Sequence, residues 1–220
     1  MTFDELPRTI PIFPLSGALL LPGGRLPLNI FEPRYLAMVR DAMAGSRTIG
    51  MIQPLDPAAR AEAPEIYRVG CLGRIASFSE TDDGRFLITL AGVVRFSVVE
   101  ELSVTTPYRQ VLASYARYRG DLNHDDQTSS RIDRADLLAV LRDYFPAVGL
   151  PVDWQAIEDA PTAALVTTLC IVCPFDPAEK QALLEAPTFY ERTRLMQSMM
   201  VMAAAQRGHE RPAGGPRALN

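Results

Sequence analysis

The apolar residues of this chain change period once, and that change decides what the chain can fold into. From Thr9 to Tyr118 they come in short runs rich in Val, Ile, Leu and aromatics: Ile10–Phe13, Leu26–Ile30, Ile49–Gln53, Val69–Phe78, Arg85–Ala91, Val93–Leu102 and Tyr108–Tyr115. Turn residues separate the runs, as they separate short strands. After Ser130 the spacing becomes helical. Leu137, Leu138, Leu141 and Phe145 share one face of a helix, which Pro146 is expected to end. The polar stretch from Gly120 to Ser130 reads as a linker or long loop. The prediction is an α+β chain with a β-rich subdomain over 1–119 and a helical bundle over 120–207. A tail over 208–220, with Gly, Pro and Arg but no periodicity, is expected to be disordered.

Local signals refine this outline. Asp82-Asp83-Gly84 is a hairpin turn, because glycine accepts the positive φ that such turns need. Around it Ile75, Phe78, Phe86, Ile88 and Leu90 alternate as a half-buried ribbon requires. Gly70, Gly73 and Gly92 sit in or between strand runs and predict bulges or bends, which let a sheet curl. One helix interrupts the β half. Pro33 suits its first turn, Leu36, Val39, Ala42 and Met43 recur on one face, and Gly45 stops it. Pro161 to Cys173 is apolar nearly all round and is expected to be the central helix of the bundle. Asp176-Pro177-Ala178-Glu179 and Thr188-Phe189-Tyr190-Glu191 each offer a capping box.

Composition excludes several function classes. The chain has 220 residues, a formal charge of −4 and an acidic pI of about 5.3, so bulk charge gives no basic face for nucleic acid. Its three cysteines do not make a disulfide framework, which points to a reducing cytoplasm. The first residues show no basic-then-apolar leader pattern. The runs Ala163–Cys173 and Leu195–Ala205 fall short of the roughly 20 residues that span a bilayer, so no membrane partner is expected.

Candidate chemistry is sparse. Cys170 and Cys173 form a C-x-x-C pair, but late in an apolar helix and without a second Cys or His pair, so they read as core residues rather than a redox or zinc site. His124 and His209 fall in a polar loop and a tail and read as surface residues. Ser16 and Ser77 have no histidine placed to act as a base. Neither catalytic residues, nor a metal, nor a cofactor is expected.

A resemblance adds to this. Thr9-Ile10-Pro11-Ile12-Phe13-Pro14-Leu15, followed by Leu20-Leu21-Pro22-Gly23-Gly24-Arg25-Leu26-Pro27-Leu28-Asn29-Ile30-Phe31-Glu32, resembles the opening of the N-terminal substrate-binding domain of Lon-type proteases. Tyr67-Arg68-Val69-Gly70 resembles the family's Tyr-x-Val-Gly segment, and Gly92-Val93-Val94-Arg95-Phe96 its Gly-x-x-Arg-aromatic segment. Lys180-Gln181-Ala182-Leu183-Leu184-Glu185 and Glu191-Arg192 resemble its later helical segments. The resemblance covers most of residues 9–202. It implies a PUA-like β pseudo-barrel followed by a small C-terminal helical bundle. It also implies a non-catalytic module that binds unfolded or partly folded protein segments, an adaptor that hands them to a partner protease. A PUA-like RNA-binding protein is the alternative, on fold analogy alone. The sequence carries neither a G-x-x-x-x-G-K-[ST] phosphate loop nor the Ser–Lys dyad of a Lon protease domain, so no ATP turnover and no peptide cleavage are expected.

Two features offer a binding surface. Met196, Met199, Met200 and Met202 crowd the last helix, either as bundle core or as an adaptable apolar face. The Asn29–Tyr35 turn sets Phe31 and Tyr35 around Glu32 and Arg34 where a strand runs into a helix. Asn29, Phe31, Glu32, Arg34 and Tyr35 are therefore the candidate peptide-binding residues, against the alternative that the aromatics only anchor the helix.

Overall fold

A computed structural model describes residues 1–58, 63–123 and 131–210. Two compact units divide the chain. One takes Met1–Asp126 and Ala163–Ala186, the other Gln127–Thr162 and Pro187–Asn220. The first segment ends near the predicted linker, but the helical part is shared between the units instead of forming one contiguous bundle. His124 and the tail beyond residue 210 lie outside the described residues, as does the side chain of His209.

The first unit is built on six strands: β1 (Thr9–Pro14), β2 (Arg25–Ile30), β3 (Thr48–Ile52), β4 (Val69–Glu80), β5 (Phe86–Glu101) and β6 (Gln110–Ser114). β1 runs parallel to β3 and antiparallel to β6; β3–β4, β4–β5 and β5–β6 are antiparallel. The circuit β1-β3-β4-β5-β6 thus returns to β1, and β2 adds to the first half of β5. This is a pseudo-barrel with an extra strand, not a clean barrel. The runs Arg85–Ala91 and Val93–Leu102 are one long strand, with β2 and β4 beside its first half and β4 and β6 beside its second. Ladder irregularities at Leu72/Gly73, Ile75/Ser77 and Val98/Glu100 supply the bending that closure requires. Ile10, Ile12, Leu72, Leu90, Val94, Phe96 and Val111 fill the interior.

The β4–β5 turn follows the sequence. Gly84 has φ 78° and its N–H donates to Thr81 O at 2.9 Å, while Thr81 N–H donates to Arg85 O at 2.9 Å. Gly92 does something the sequence reading did not anticipate. The predicted bulge is there, since the β4–β5 register goes from Leu72↔Val94 to Gly73↔Gly92 and skips Val93, but the turn at Leu21–Gly24 also comes down on Gly92. Gly23 N–H donates to Gly92 O (3.0 Å), and Gly92 N–H donates to Gly24 O (2.9 Å). A Cβ at this position would stand 1.9 Å from Leu21 O.

Helix α1 (Pro33–Ala44) buries Tyr35, Met38, Val39 and Ala42. That face is turned slightly from the one read off Leu36 and Met43, which are half-buried. Helices α2 (Arg134–Val148), α3 (Trp154–Asp159) and α6 (Phe189–Glu210) make the second unit, where α2 packs on α6. Pro146 does not end α2. It sits in the last turn, and Gly149, left-handed at φ 72°, terminates the helix. Met196 and Met200 are buried, Met199 is half-buried and Met202 is 62% exposed, so only the end of the methionine stripe faces outward.

Helices α4 (Thr162–Val172) and α5 (Pro177–Glu185) belong, from Ala163 on, with the β unit and not with the bundle that was expected around α4. Uniform apolarity announces a buried helix but does not say what buries it. Here the surface under α4 includes the β-unit turn: a Cβ on Gly24 would meet Ile171 Cδ1 at 2.4 Å. Leu165, Leu169, Cys170 and Cys173 are buried, and the cysteines are thiols. α5 starts with the predicted capping box, Glu179 N–H to Asp176 Oδ1 and Asp176 N–H to Glu179 Oε2. Its buried polar residues read the β unit. Lys180 Nζ donates to Gly17 O (2.8 Å) and Ile171 O (3.3 Å), and Gln181 Nε2 donates to Val69 O (3.1 Å). Gln53 Nε2 completes the seam through Pro177 O and Gln181 Oε1.

Arg95, 4% exposed, is the other tie. Its Nε and Nη2 donate to the two carboxylate oxygens of Asp121 at 2.9 and 2.8 Å, and its Nη1 donates to Leu184 O and Ala186 O at 3.0 and 2.7 Å. Its guanidinium also lies 4.6 Å from the centre of the Tyr118 ring. Burial opposes its charge, but the hydrogen bonds and charge of Asp121 prevail and hold its pKa above the usual arginine range.

Two buried tyrosines make the fold sensitive to alkali. Tyr108 Oη donates to Asp41 Oδ2 at 2.6 Å, and burial, that bond and the Asp41 charge push its pKa up to about 12. Tyr115 Oη donates to Pro7 O at 2.7 Å, and burial raises its pKa as well. An acid whose folded pKa exceeds its unfolded value of about 10 favours folding below that value and loses the contribution as pH rises through the folded pKa. The melting temperature should therefore fall steeply from about pH 10 to 12. In Tyr108→Phe the fall should be shallower; an unchanged slope would contradict this account.

Candidate functional site

The strand-to-helix turn is shaped by two periods meeting. Ile30 ends β2 facing inward, 1% exposed and paired with Phe86. Strand alternation then turns Asn29 and Phe31 outward, and Phe31 is 61% exposed. Glu32 stands at the N-cap position of α1 without a side-chain cap bond, and Pro33 opens the helix. Helical spacing puts Tyr35 on the face of Met38, Val39 and Ala42, so its ring goes inside, 7% exposed. There it packs on Phe13 with ring centroids 4.1 Å apart. Burial raises the Tyr35 pKa, with Arg34 opposing.

Glu32 and Arg34 are a pair. Arg34 Nη2 lies 2.8 Å and Nε 3.0 Å from Glu32 Oε2, and the guanidinium sits 4.7 Å from the Tyr35 ring centre. The turn thus has an exposed phenylalanine, a surface ion pair and a buried tyrosine packed on Phe13. Of the five candidate residues, Asn29 and Phe31 are exposed, Glu32 and Arg34 are half-buried and paired, and Tyr35 is buried.

Each end of the turn borders a groove. At the β2 end a mainly apolar groove of about 450 Å³ is lined by Pro27, Asn29, Phe78, Leu87 and Thr89 among others. At the α1 end a groove of about 380 Å³ is lined by Arg34, Glu101, Val104, Tyr108 and Arg109 among others. Phe78 and Leu87, 40% and 45% exposed, were not among the candidates. Leu87 was open to discovery, since alternation sets it opposite Phe86 and Ile88. Phe78 was not, because the bulge before Ser77 shifts its register.

Among the described residues no cluster of three or more His, Cys, Asp or Glu could hold a metal ion. Among the same residues no helix is long and apolar enough to cross a membrane.

The family model of the ATP-dependent protease La (LON) substrate-binding domain matches residues 9–202. The chain belongs to this family. Its β-circuit and helices also match two solved structures of Lon domains. One is the Lon N-terminal domain protein from Xanthomonas campestris, with TM-score 0.58 and 23% identity over 88% of this chain and 97% of that one. The other is the N-terminal domain of the Mycobacterium avium complex Lon protease, with TM-score 0.62 and 16% identity over 88% and 98%. At these identities the likeness is one of fold. The Lon protease of Desulfosudis oleivorans is 24% identical over 187 residues, which are 84% of this chain but 22% of that protein. The chain spans about a quarter or less of the curated relatives it matches, and the matched Lon-family region is the substrate-binding domain, not the protease domain.

The motifs that carried the resemblance have structural work. Gly92 admits a neighbouring turn, Arg95 ties three segments together, and Lys180 and Gln181 hold α5 to the β unit.

Proposed function

We propose that this Lon-family domain is a non-catalytic module that captures exposed apolar segments of unfolded or partly folded proteins, and that Phe31 is its central contact. Phe31 carries the reading: a large aromatic, more than half exposed, next in sequence to the Glu32–Arg34 pair at the strand-to-helix turn. Rigid aromatic anchors of this kind dominate binding surfaces. The grooves at both ends of the turn offer room for the residues that flank an anchored side chain. Delivery of captured segments to a protease in the cytoplasm, an adaptor role, belongs to the same proposal; the family's substrate-binding domain supports its capture step. Affinity is expected to be modest, since a flexible client loses entropy on binding, and tolerant of salt at Phe31, since the contact is apolar.

The test uses a reduced and alkylated globular protein as client. Phe31→Ala should weaken its capture about tenfold, the equivalent of 1.4 kcal/mol, while the melting temperature stays within a degree or so, as expected for a surface position. Undiminished capture would remove Phe31 from the site. Tyr35→Ala is the control that separates the turn's two roles: it should lower the melting temperature, because it removes the ring stacked on Phe13.

A further inference from the structure

The slot at the end of β5 is built like a vacant strand position. β4 and β5 are bonded as far as Val98 N–H to Arg68 O, at 2.8 Å. β5 continues to Glu101, whereas the chain before Arg68 turns aside to pair with residues 53–55. Leu55 N–H donates to Glu65 O (2.8 Å) and Tyr67 N–H to Gln53 O (3.0 Å). Antiparallel alternation therefore turns the main-chain groups of Pro64 and Ile66 the other way, toward the gap. On the opposite wall Leu102 N–H donates to Gln110 O beside β6, so Glu101, one residue off, turns its main chain toward the same gap. The two walls diverge around a slot of about 640 Å³.

Its side chains give the slot a chemistry. The bulge between Val98 and Glu100 takes Val99 out of alternation and leaves it 53% exposed. Val99, Leu55 and Ile66 are apolar lining; Glu65, Glu100 and Glu101 are acidic lining. Arg109 bridges the walls, Nη1 to Pro64 O at 2.8 Å, and Nε and Nη2 to the Glu101 carboxylate at 2.6 and 2.7 Å. A guanidinium of the chain itself thus already satisfies one main-chain carbonyl and one acid of the slot. With Arg109 and Glu101 paired, the remaining charged lining is Glu65, Glu100 and Arg68, so the balance is acidic, in keeping with the chain's −4 charge.

We propose that this slot takes an extended protein segment in which basic and β-branched apolar residues alternate, added as a short strand along the end of β5. Alternation suits it, because Ile66 and Glu65 are neighbours in extended chain and point to opposite faces, while the bulge leaves Val99 and Glu100 both exposed on the other wall. The proposal rests on the segment-binding reading and names a class of client for it. The slot shares Glu101 and Arg109 with the groove that reaches Arg34, so it extends the turn's binding surface.

The probes are two fluorescent peptides, one alternating valine with arginine and one alternating valine with glutamate, titrated against the full chain by anisotropy. The arginine peptide should bind about tenfold or more tightly than the glutamate peptide, and the preference should shrink at high salt, unlike contacts at Phe31. Glu65→Lys/Glu100→Lys should abolish or invert the preference with an unchanged melting temperature, since both residues are exposed. Val99→Ser should weaken the arginine peptide as well, by removing apolar lining without changing the charge. Equal binding of the two peptides, or a double variant that behaves as the parent, would overturn the proposal. If that happens while the alkylated client is still captured, the slot alone is wrong. If the parent captures no client, the reading beneath it fails too.

Discussion

Arg95→Ala should cost about 3–5 kcal/mol of stability, the range for removing one partner of a buried ion pair. The side chain is 4% exposed and serves four acceptors at once: both oxygens of Asp121, Leu184 O and Ala186 O. Its loss leaves a carboxylate only 12% exposed without its cation, and two helix-end carbonyls without their donor. Lysine should not rescue it, since a single ammonium cannot reproduce a planar fork that spans a carboxylate and two carbonyls. Asp121→Asn should cost less than Arg95→Ala, because the amide can still accept and the two carbonyls keep their donor. The double variant should cost less than the sum of the two, as expected for residues in one network. Urea unfolding of the four variants measures all of this. A loss below about 1 kcal/mol for Arg95→Ala would mean that water replaces the guanidinium freely and that the pair behaves as a surface bridge.

Much of this was legible in the sequence, and the parts that were not share a cause. Every predicted strand exists, because a period of two with turn residues between is a local property. The two capping boxes and the Gly84 turn are local as well. What the sequence could not show is which surface lies opposite. α4 looked like the centre of a helical bundle, since it is apolar all round, yet Ile171 lies against Gly24 of the β unit. Pro146 looked like a helix end, yet a proline in the final turn removes only one bond there, and Gly149 supplies the left-handed stop. At the candidate turn the residue set was readable but the division of labour was not. Phe31 and Tyr35 are both aromatic, and only the handover from strand period to helix period at Pro33 sends one outward and the other inward.

Gly92→Ala should be the most damaging single-methyl change in the β unit, at about 3 kcal/mol or more, when overpacking and broken main-chain hydrogen bonds are taken together. The added carbon would lie 1.9 Å from Leu21 O and 2.7 Å from its carbonyl carbon, and neither is the yielding end of a side chain. Relief requires the Leu21–Gly24 turn to lift from β5. That breaks the reciprocal bonds Gly23 N–H to Gly92 O and Gly92 N–H to Gly24 O, and it disturbs the packing of Gly24 under Ile171. Glycine is required here by the approach of another backbone, since its φ is not among the chain's positive values. Gly84 offers the contrasting case. Its φ is 78° and nothing stands within 4 Å of an added Cβ, so Gly84→Ala should cost only the strain of a left-handed alanine, about 1 kcal/mol. Thermal melts of the two variants side by side decide the matter. If Gly92→Ala is no worse than Gly84→Ala, the turn at Leu21–Gly24 yields easily and the contact does not hold the pseudo-barrel together.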